Sequence, residues 1–375
     1  MKILHVINTV NAGGAELHLL TLCRHLKWLG VELCVAYLKD VPTAGRSLRP
    51  DFEREGIRTV DLGADRRFDP RCLVRFARLL QAEHPMLVHS HLPRADFVAM
   101  VGRLLLPSVR WVTSIHGVYS THWSGARTMP LFKLAWRFAD RVVAISHAVR
   151  RWLIEEGRID PTRVAVIHYG IDVERFRGAS PGAQRGDSPD GGAVVGSLGR
   201  YDPVKGYDVL IRAMLLVRRA VPGTTRLVIA GSDVWGYRAT LQRLVGDLGL
   251  DGVVELYGFQ SDTPSFLQGL DVFAFASRSE GFGQVLIEAM AAGKPVVASR
   301  IAPLTEIVVE GETGLLAEPD DPEAFARAIL WLLTHPEEAR RMGTRGRVRA
   351  QEFFSAGRMA AETLALYEAV ARMPR

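Results

Sequence analysis

Short apolar runs alternate with helical stretches along this chain, twice over, and that alternation leaves few folds open. In the first half the runs fall at 3–6, 31–37, 86–89, 111–115, 142–145 and 164–167, with helical patterns at 15–28, 70–83, 94–106 and 147–156. In the second half they recur at 194–197, 227–230, 253–256, 272–276 and 296–298. A strand that feeds a helix before the next strand implies parallel sheets with helices on both faces. Runs such as Val272-Phe273-Ala274-Phe275-Ala276 lack polar alternation, the mark of a strand covered on both sides. Between the halves, 178–192 is too rich in Gly, Pro and Ser to pack and reads as a linker or flexible loop. The expected fold class is α/β: two doubly wound Rossmann-like domains, with ligands at the carboxyl ends of the strands.

Composition narrows the partners. The net charge of +6 conceals an asymmetry: residues 1–172 hold 24 Lys+Arg against 16 Asp+Glu, the remainder 23 against 25. A basic half calls for an anionic partner, such as a phosphorylated substrate, a lipid headgroup or a nucleic acid. Zinc-finger spacing and RNA-recognition signatures are missing, so nucleic acid is not expected. The segment 70–80 sets Leu73, Phe76 and Leu80 on one face, with Arg71, Arg75 and Arg78 elsewhere. Residues 127–138 mix aromatics with cations. Both read either as core-facing helices with solvated cations or as membrane-surface helices. No window approaches the roughly 18 apolar residues that span a bilayer, and the start lacks a signal-peptide pattern. Cys23, Cys34 and Cys72, an odd set without metal spacing, read as buried reduced thiols. The expected location is cytoplasmic, with the inner membrane face as an open alternative.

The candidate chemistry sits where predicted strands end. Glu280 and Glu288 flank Gly281-Phe282-Gly283-Gln284-Val285, a glycine-broken loop running into a helix that begins near Gln284 and stops at Gly293-Lys294-Pro295. Free N–H groups and the positive dipole end of such a helix suit a phosphate. Read alone, the two acids are a loop acid and a helix-surface acid. Gly13 and Gly14 open the first helix after the first strand, as an anion-approaching loop or a tight turn. Arg200 and Lys205 follow the first strand of the second half and can both face a diphosphate, or form a solvated basic loop. His116 ends a central strand, and its near-neutral pKa suits donation to a hydroxyl or phosphate oxygen. It is the one histidine singled out for function. His89 and His91 are assigned to a strand end and loop. Asp233, Tyr257 and Phe259 also lie past strand ends, either aromatic being a stacking surface or a packed side chain.

The Glu-x7-Glu spacing from Glu280 to Glu288 resembles that of retaining, nucleotide-sugar-dependent GT-B glycosyltransferases, the "glycosyl transferases group one" family. The likeness extends over essentially the whole chain and is most specific across 199–316. It implies two Rossmann-like domains facing each other across a cleft, 1–172 on the acceptor side and 173–354 binding the nucleotide sugar. It also implies a last helix, about 355–375, returning to the first domain. It further implies that Glu280 contacts donor-sugar hydroxyls and Glu288 the ribose, and that the amides of Gly281, Phe282, Gly283, Gln284 and Val285 bind sugar and phosphate. Arg200 and Lys205 would neutralise the leaving diphosphate, with His116 and the Gly13-Gly14 loop near sugar, phosphate and acceptor. Asp233 and Tyr257 join the donor-binding set, the latter along the nucleobase. The segment His168-Tyr169-Gly170-Ile171-Asp172 departs from the family's Asn-Gly-Ile-Asp, with His and Tyr at its start. The absence of Asp-x-Asp removes the usual metal-holding motif of the other main glycosyltransferase fold, so neither metal nor cofactor is expected. The implied activity moves a sugar, with UDP favoured as carrier, to a hydroxyl of a glycan, lipid-linked or phosphorylated acceptor in cell-surface polysaccharide assembly. A nucleotide-sugar epimerase or a non-catalytic nucleotide-sugar-binding protein stands as the alternative. A nicotinamide oxidoreductase is opposed by the missing Gly-x-Gly-x-x-Gly.

Overall fold

Strand pairing is parallel in both halves, and each half reverses its strand order once. The structure, a computed structural model, describes residues 1–39, 46–64, 69–119, 129–178, 192–221 and 225–374. The expected linker at 178–192 lies outside them except for its two ends. The chain divides into two compact units, Met1–Gly170 with Ala356–Arg375, and Ile171–Ser355.

Among the described residues, the first unit holds strands β1 (Lys2–Ile7), β2 (Glu32–Tyr37), β3 (Arg58–Asp61), β4 (Leu87–His91), β5 (Arg110–Ile115), β6 (Arg141–Ala144) and β7 (Val164–Val166). Their order is β3-β2-β1-β4-β5-β6-β7, so the chain winds outwards from β1 and then returns to its other side at β4. The helices Gly14–Trp28, Pro70–Glu83, Pro93–Leu105 and His147–Glu155 fall on the predicted helical patterns. Two of them start at side-chain caps that satisfy free helix donors: the Asp69 carboxylate accepts from Arg71 N–H and Ser146 Oγ from Val149 N–H. Phe76 and Leu80 are buried, so the apolar face of residues 70–80 belongs to the core. The last helix, Ala356–Ala371, completes this unit: Met359, Tyr367 and Val370 are buried in one cluster with Leu19, Leu22, Cys23 and Leu26. Burial of each such large side chain contributes about 2 kcal/mol.

The second unit repeats the scheme with β8 (Val194–Leu198), β9 (Arg226–Ala230), β10 (Val254–Tyr257), β11 (Val272–Phe275), β12 (Val296–Ser299) and β13 (Leu315–Ala317), in the order β10-β9-β8-β11-β12-β13. Strands β8 and β11, fully buried, the latter along an unbroken apolar run, pair through Val195 and Val272.

Two features differ from the sequence expectations. Strands β3 and β13 go unread: each is a short edge strand, and β3 is at best half-buried, so neither carries a clear apolar signal. His89 lies inside β4 and His91 is its last residue, both buried on the same face of the sheet, so the strand end falls at His91 and His91 is not in the loop.

Candidate active site

The second unit reverses direction between β8 and β11, and open α/β sheets bind ligands at such a switch point, beyond the carboxyl ends of the strands. The residues after these two strands meet there. Lys205 ends the short 3-10 turn Pro203–Lys205, capped by the Asp202 carboxylate on Val204 N–H. Its Nζ donates to Glu280 Oε1 at 2.5 Å and lies 5.4 Å from the Phe275 ring centre. Glu280 also accepts from buried Ser277 Oγ at 2.7 Å. The side chains of Lys205 and Glu280 are only 16% and 12% exposed, so this charge pair is largely withdrawn from water. Arg278 fixes the surrounding loops by forking onto Asp208 at 2.9 and 2.8 Å and reaching Asp320 at 2.6 Å. Ser277 and Arg278 were not singled out from sequence; their position directly after a buried strand was the available signal.

Gly206 makes the approach of the two loops possible. Its φ is +63°, and a Cβ there would stand 2.1 Å from the Ala276 carbonyl oxygen. Backbone cannot yield as a side chain does. Gly206→Ala is therefore expected to destabilise the protein by at least about 2 kcal/mol, and to separate Lys205 from Glu280. Denaturant unfolding checks the first effect; an unchanged midpoint would contradict it.

Arg200 is exposed and its guanidinium lies 5.3 Å from the ring centre of exposed Trp235. It follows Gly199, whose carbonyl closely approaches Gly231, leaving no room there for a Cβ. Asp233 is exposed past β9. Tyr257, the last residue of β10, donates to Glu255 at 2.5 Å, while Phe259 beyond the strand is 54% exposed, so the open aromatic surface there is Phe259. Gly283, with φ +111°, precedes the helix Gln284–Ala291, and Gly293 terminates it in the left-handed region. Phe282 is buried and meets the Phe354 ring edge-on, so only its backbone is available to a ligand. Val285 and Gln284 open the helix. Half-buried Glu288 accepts from Gln284 Nε2 at 3.0 Å. Burial pushes its carboxyl up to about 7, against the Gln284 hydrogen bond and the Arg175 charge, which both favour the ionised form.

In the first unit the reversal lies between β1 and β4. Gly13 takes the N-cap position of the helix Gly14–Trp28 just beyond β1, and it offers no side-chain cap. His116 lies just past β5 as one of five clustered histidines. Its Nε2 is 3.1 Å from His91 Nδ1, and its Nδ1 contacts the Tyr169 hydroxyl. Both ring nitrogens are thus engaged within the unit. His91 Nε2 lies 3.0 Å from His5 Nδ1. His89 meets the Tyr367 hydroxyl at 2.5 Å and Ser114 Oγ at 2.8 Å, and His18 stacks on Tyr169 with ring centres 4.0 Å apart. Burial holds His5 and His116 down to about 3, and His18, His89 and His91 well below the usual value, so all five are neutral. His5, His89 and His91 place ring nitrogens within 4.8 Å of one another, close enough to consider a metal. Hydrogen-bond contacts engage every ring nitrogen of the three except His5 Nε2, so the group reads as a hydrogen-bonded polar core.

Residues 183–349 match the family model described as Glycosyl transferases group 1, and residues 12–175 match Glycosyltransferase Family 4. A Salinispora tropica protein named D-inositol 3-phosphate glycosyltransferase is 32% identical over 405 residues, covering 98% of this chain and 83% of that protein. Among solved structures, Anabaena HepE in complex with UDP superposes with a TM-score of 0.86 at 22% identity, covering 98% of this chain and 100% of the other. Sucrose-phosphate synthase from Thermosynechococcus elongatus gives 0.84 at 24% identity, covering 99% of each. The two structural likenesses speak for the fold.

Proposed function

The chain belongs to the group 1 glycosyl transferases, a family of GT-B enzymes, and from that premise we propose that it transfers a sugar from a nucleoside-diphosphate sugar, with retention of anomeric configuration. UDP is favoured as the carrier: HepE was crystallised with UDP and with UDP-glucose. The observation that carries the reading is the withdrawn Lys205–Glu280 pair at the β8/β11 switch point. There Lys205 and Arg200 stabilise the departing diphosphate, together with the amides of Gly281 to Val285 at the helix start. Glu280 orients the sugar, Glu288 holds the ribose, and Asp233, Tyr257 and the exposed Phe259 complete the donor side. His116 and the Gly13-Gly14 loop serve sugar and acceptor. Catalysis then rests on positioning and fixed charge, and no metal is required.

The acceptor is a hydroxyl of a phosphorylated, glycan or lipid-linked molecule. A phosphorylated acceptor suits the +8 of residues 1–172 and the name carried by the Salinispora relative. Cell-surface polysaccharide assembly is the proposed setting. Among the described residues no helix is long and apolar enough to cross a membrane. The helix Met129–Trp136 and the residues after it leave Leu131, Leu134 and Phe138 exposed beside Lys133 and Arg137, a surface that would suit peripheral contact with anionic lipid. Residues 127 and 128 of that segment lie outside the described ones.

A panel of UDP- and GDP-sugars, with inositol phosphates or a membrane lipid extract as acceptors, tests the reading through nucleoside diphosphate release. Donor turnover without any acceptor would favour the epimerase, and binding without release the sensor. The Glu288 role makes a pH prediction. An ionised carboxylate accepts from ribose hydroxyls through both oxygens and more strongly than the protonated acid, so UDP affinity should weaken as pH falls below about 7. Glu288→Gln should weaken UDP binding by about 10–100-fold and remove the pH dependence. Titration calorimetry between pH 6 and 8 decides it: a flat wild-type profile would exclude this role.

A further inference from the structure

Lys205 is held from both sides by one residue of a distant loop. Arg278 follows β11, and its backbone N–H donates to the Val204 carbonyl at 2.7 Å while its guanidinium donates to the Pro203 carbonyl. Ser277 Oγ gives the Val204 carbonyl a second hydrogen bond at 3.2 Å. On the other side of Lys205, the same guanidinium forks onto both oxygens of Asp208, in the first turn of the helix Tyr207–Ala220. The stretch from Pro203 to Asp208 is thus bracketed, with Lys205 inside it. Arg278 is anchored in turn, since its Nε donates to Asp320 Oδ1 at 2.6 Å. Asp320 lies beyond β13 with a φ of +60°, a conformation that a side chain resists and that surrounding contacts must hold. Loops that follow β8, β11 and β13 therefore meet on one guanidinium.

We propose that Arg278 is a positioning residue for sugar transfer: it fixes the Lys205 ammonium where the departing diphosphate gathers charge, without touching the donor itself. This role rests on the reading that Lys205 meets that diphosphate. A basic residue two positions before Glu280 could instead bind phosphate directly, but its donors are spoken for. Nε is on Asp320, Nη1 is shared between Pro203 and Asp208, and Nη2 is on Asp208, while two carboxylates meet the charge. Shape matters here more than charge. A planar guanidinium addresses Pro203, Asp208 and Asp320 at once, which an ammonium on a flexible stem cannot do. Lys205 is itself a long side chain on a short 3-10 turn, so its placement depends on how firmly that turn is held. A displacement of about 1 Å in a group that meets transition-state charge is enough for a loss of roughly 10²-fold.

A double-mutant cycle on the full chain tests it. Wild type, Arg278→Met, Lys205→Ala and the double variant are compared by UDP release from saturating UDP-glucose and by UDP affinity in titration calorimetry, with thermal unfolding alongside. The affinity arm carries the cycle where UDP-glucose is not the donor. Arg278→Met should lower kcat about 10–100-fold and weaken UDP about fivefold or more. In the Lys205→Ala background the same substitution should change either quantity by less than about twofold, because the group it positions is gone. Arg278→Lys, which keeps the charge and loses the fork, should recover little of either. Equal losses in both backgrounds would mark a general structural role or a donor contact of its own, and would overturn the positioning role. Full recovery by Arg278→Lys, or Arg278→Met within about threefold of wild type in both arms, would overturn it too. Should Arg278→Met not fold, Asp208→Asn loosens the bracket more gently and is put through the same cycle. If Lys205→Ala neither slows release nor weakens UDP, the reading of Lys205 falls and this role with it. If Lys205→Ala is impaired and Arg278→Met is not, only the role of Arg278 falls.

Discussion

Lys205→Ala is expected to lower kcat by about 10²–10³-fold, the usual cost of removing one fixed donor from a site where transition-state charge develops. Sugar transfer leaves a diphosphate carrying more negative charge than it had in the donor. An ammonium already placed and largely dried does not reorganise to meet that charge. The variant also leaves Glu280 held by Ser277 alone, a carboxylate uncompensated near the leaving group. Lys205→Arg should rescue poorly, because a planar fork cannot replace a compact charge between Glu280 and the Phe275 face. Glu280→Ala should lower turnover too, through the sugar rather than the phosphate. The measurement is nucleoside diphosphate release at saturating donor, with thermal unfolding run beside it to separate chemistry from folding. Lys205→Ala within threefold of the wild-type rate would remove Lys205 from the mechanism.

Acid should selectively weaken the first unit. His5 and His116 are held down to about 3 by burial, from an ordinary 6.5. The unfolded chain therefore takes up their protons first as pH falls. Their contribution is complete above about pH 6.5 and is lost on going down towards 3. Between pH 7 and 5 each costs about 2 kcal/mol of stability, and His18, His89 and His91 are shifted in the same direction. Asp96 opposes them. Its buried carboxyl, bonded by Ser90, Thr113 and Trp136, is pushed up to about 7, so it gains protons in the folded state first. It returns about 2 kcal/mol over the same interval. The net is a loss, sizeable against a typical total of 5–15 kcal/mol. Trp111 and Trp136 report on it directly, since their indoles donate to Ser90 and Asp96. Fluorescence-detected unfolding should show the midpoint falling steeply between pH 7 and 5, with His5→Leu flattening the slope. A wild-type midpoint constant over that range would contradict the neutral-cluster description.

The central strands were legible in the amino-acid sequence because burial on both faces writes an apolar run, unbroken at β11. Edge strands write nothing comparable: Arg58–Asp61 needs only one partner and tolerates polar side chains on both faces. The candidate site was legible where chemistry and position coincide, as with Lys205 and Glu280 directly after buried strands. The histidine cluster was not, because His5, His18, His91 and His116 lie far apart along the chain and meet only once β1, β4 and β5 are in register. A histidine inside an apolar run reads as an irregularity of the strand until its neighbour on the next strand is known. Ser277 and Arg278 were missed for a related reason: their partners, Val204 in a 3-10 turn and Asp208 in the first turn of the following helix, lie some seventy residues earlier.

The returning helix sets the order in which this polypeptide can be completed on the ribosome. The second unit is one continuous stretch, Ile171–Ser355, and holds all its own strands once that stretch has emerged. The first lacks Met359, Tyr367 and Val370 until the segment that follows the second unit is synthesised, leaving Cys23, Leu26 and the ring of His89 uncovered meanwhile. The half whose translation starts first is therefore completed only after every residue of the other unit has been synthesised.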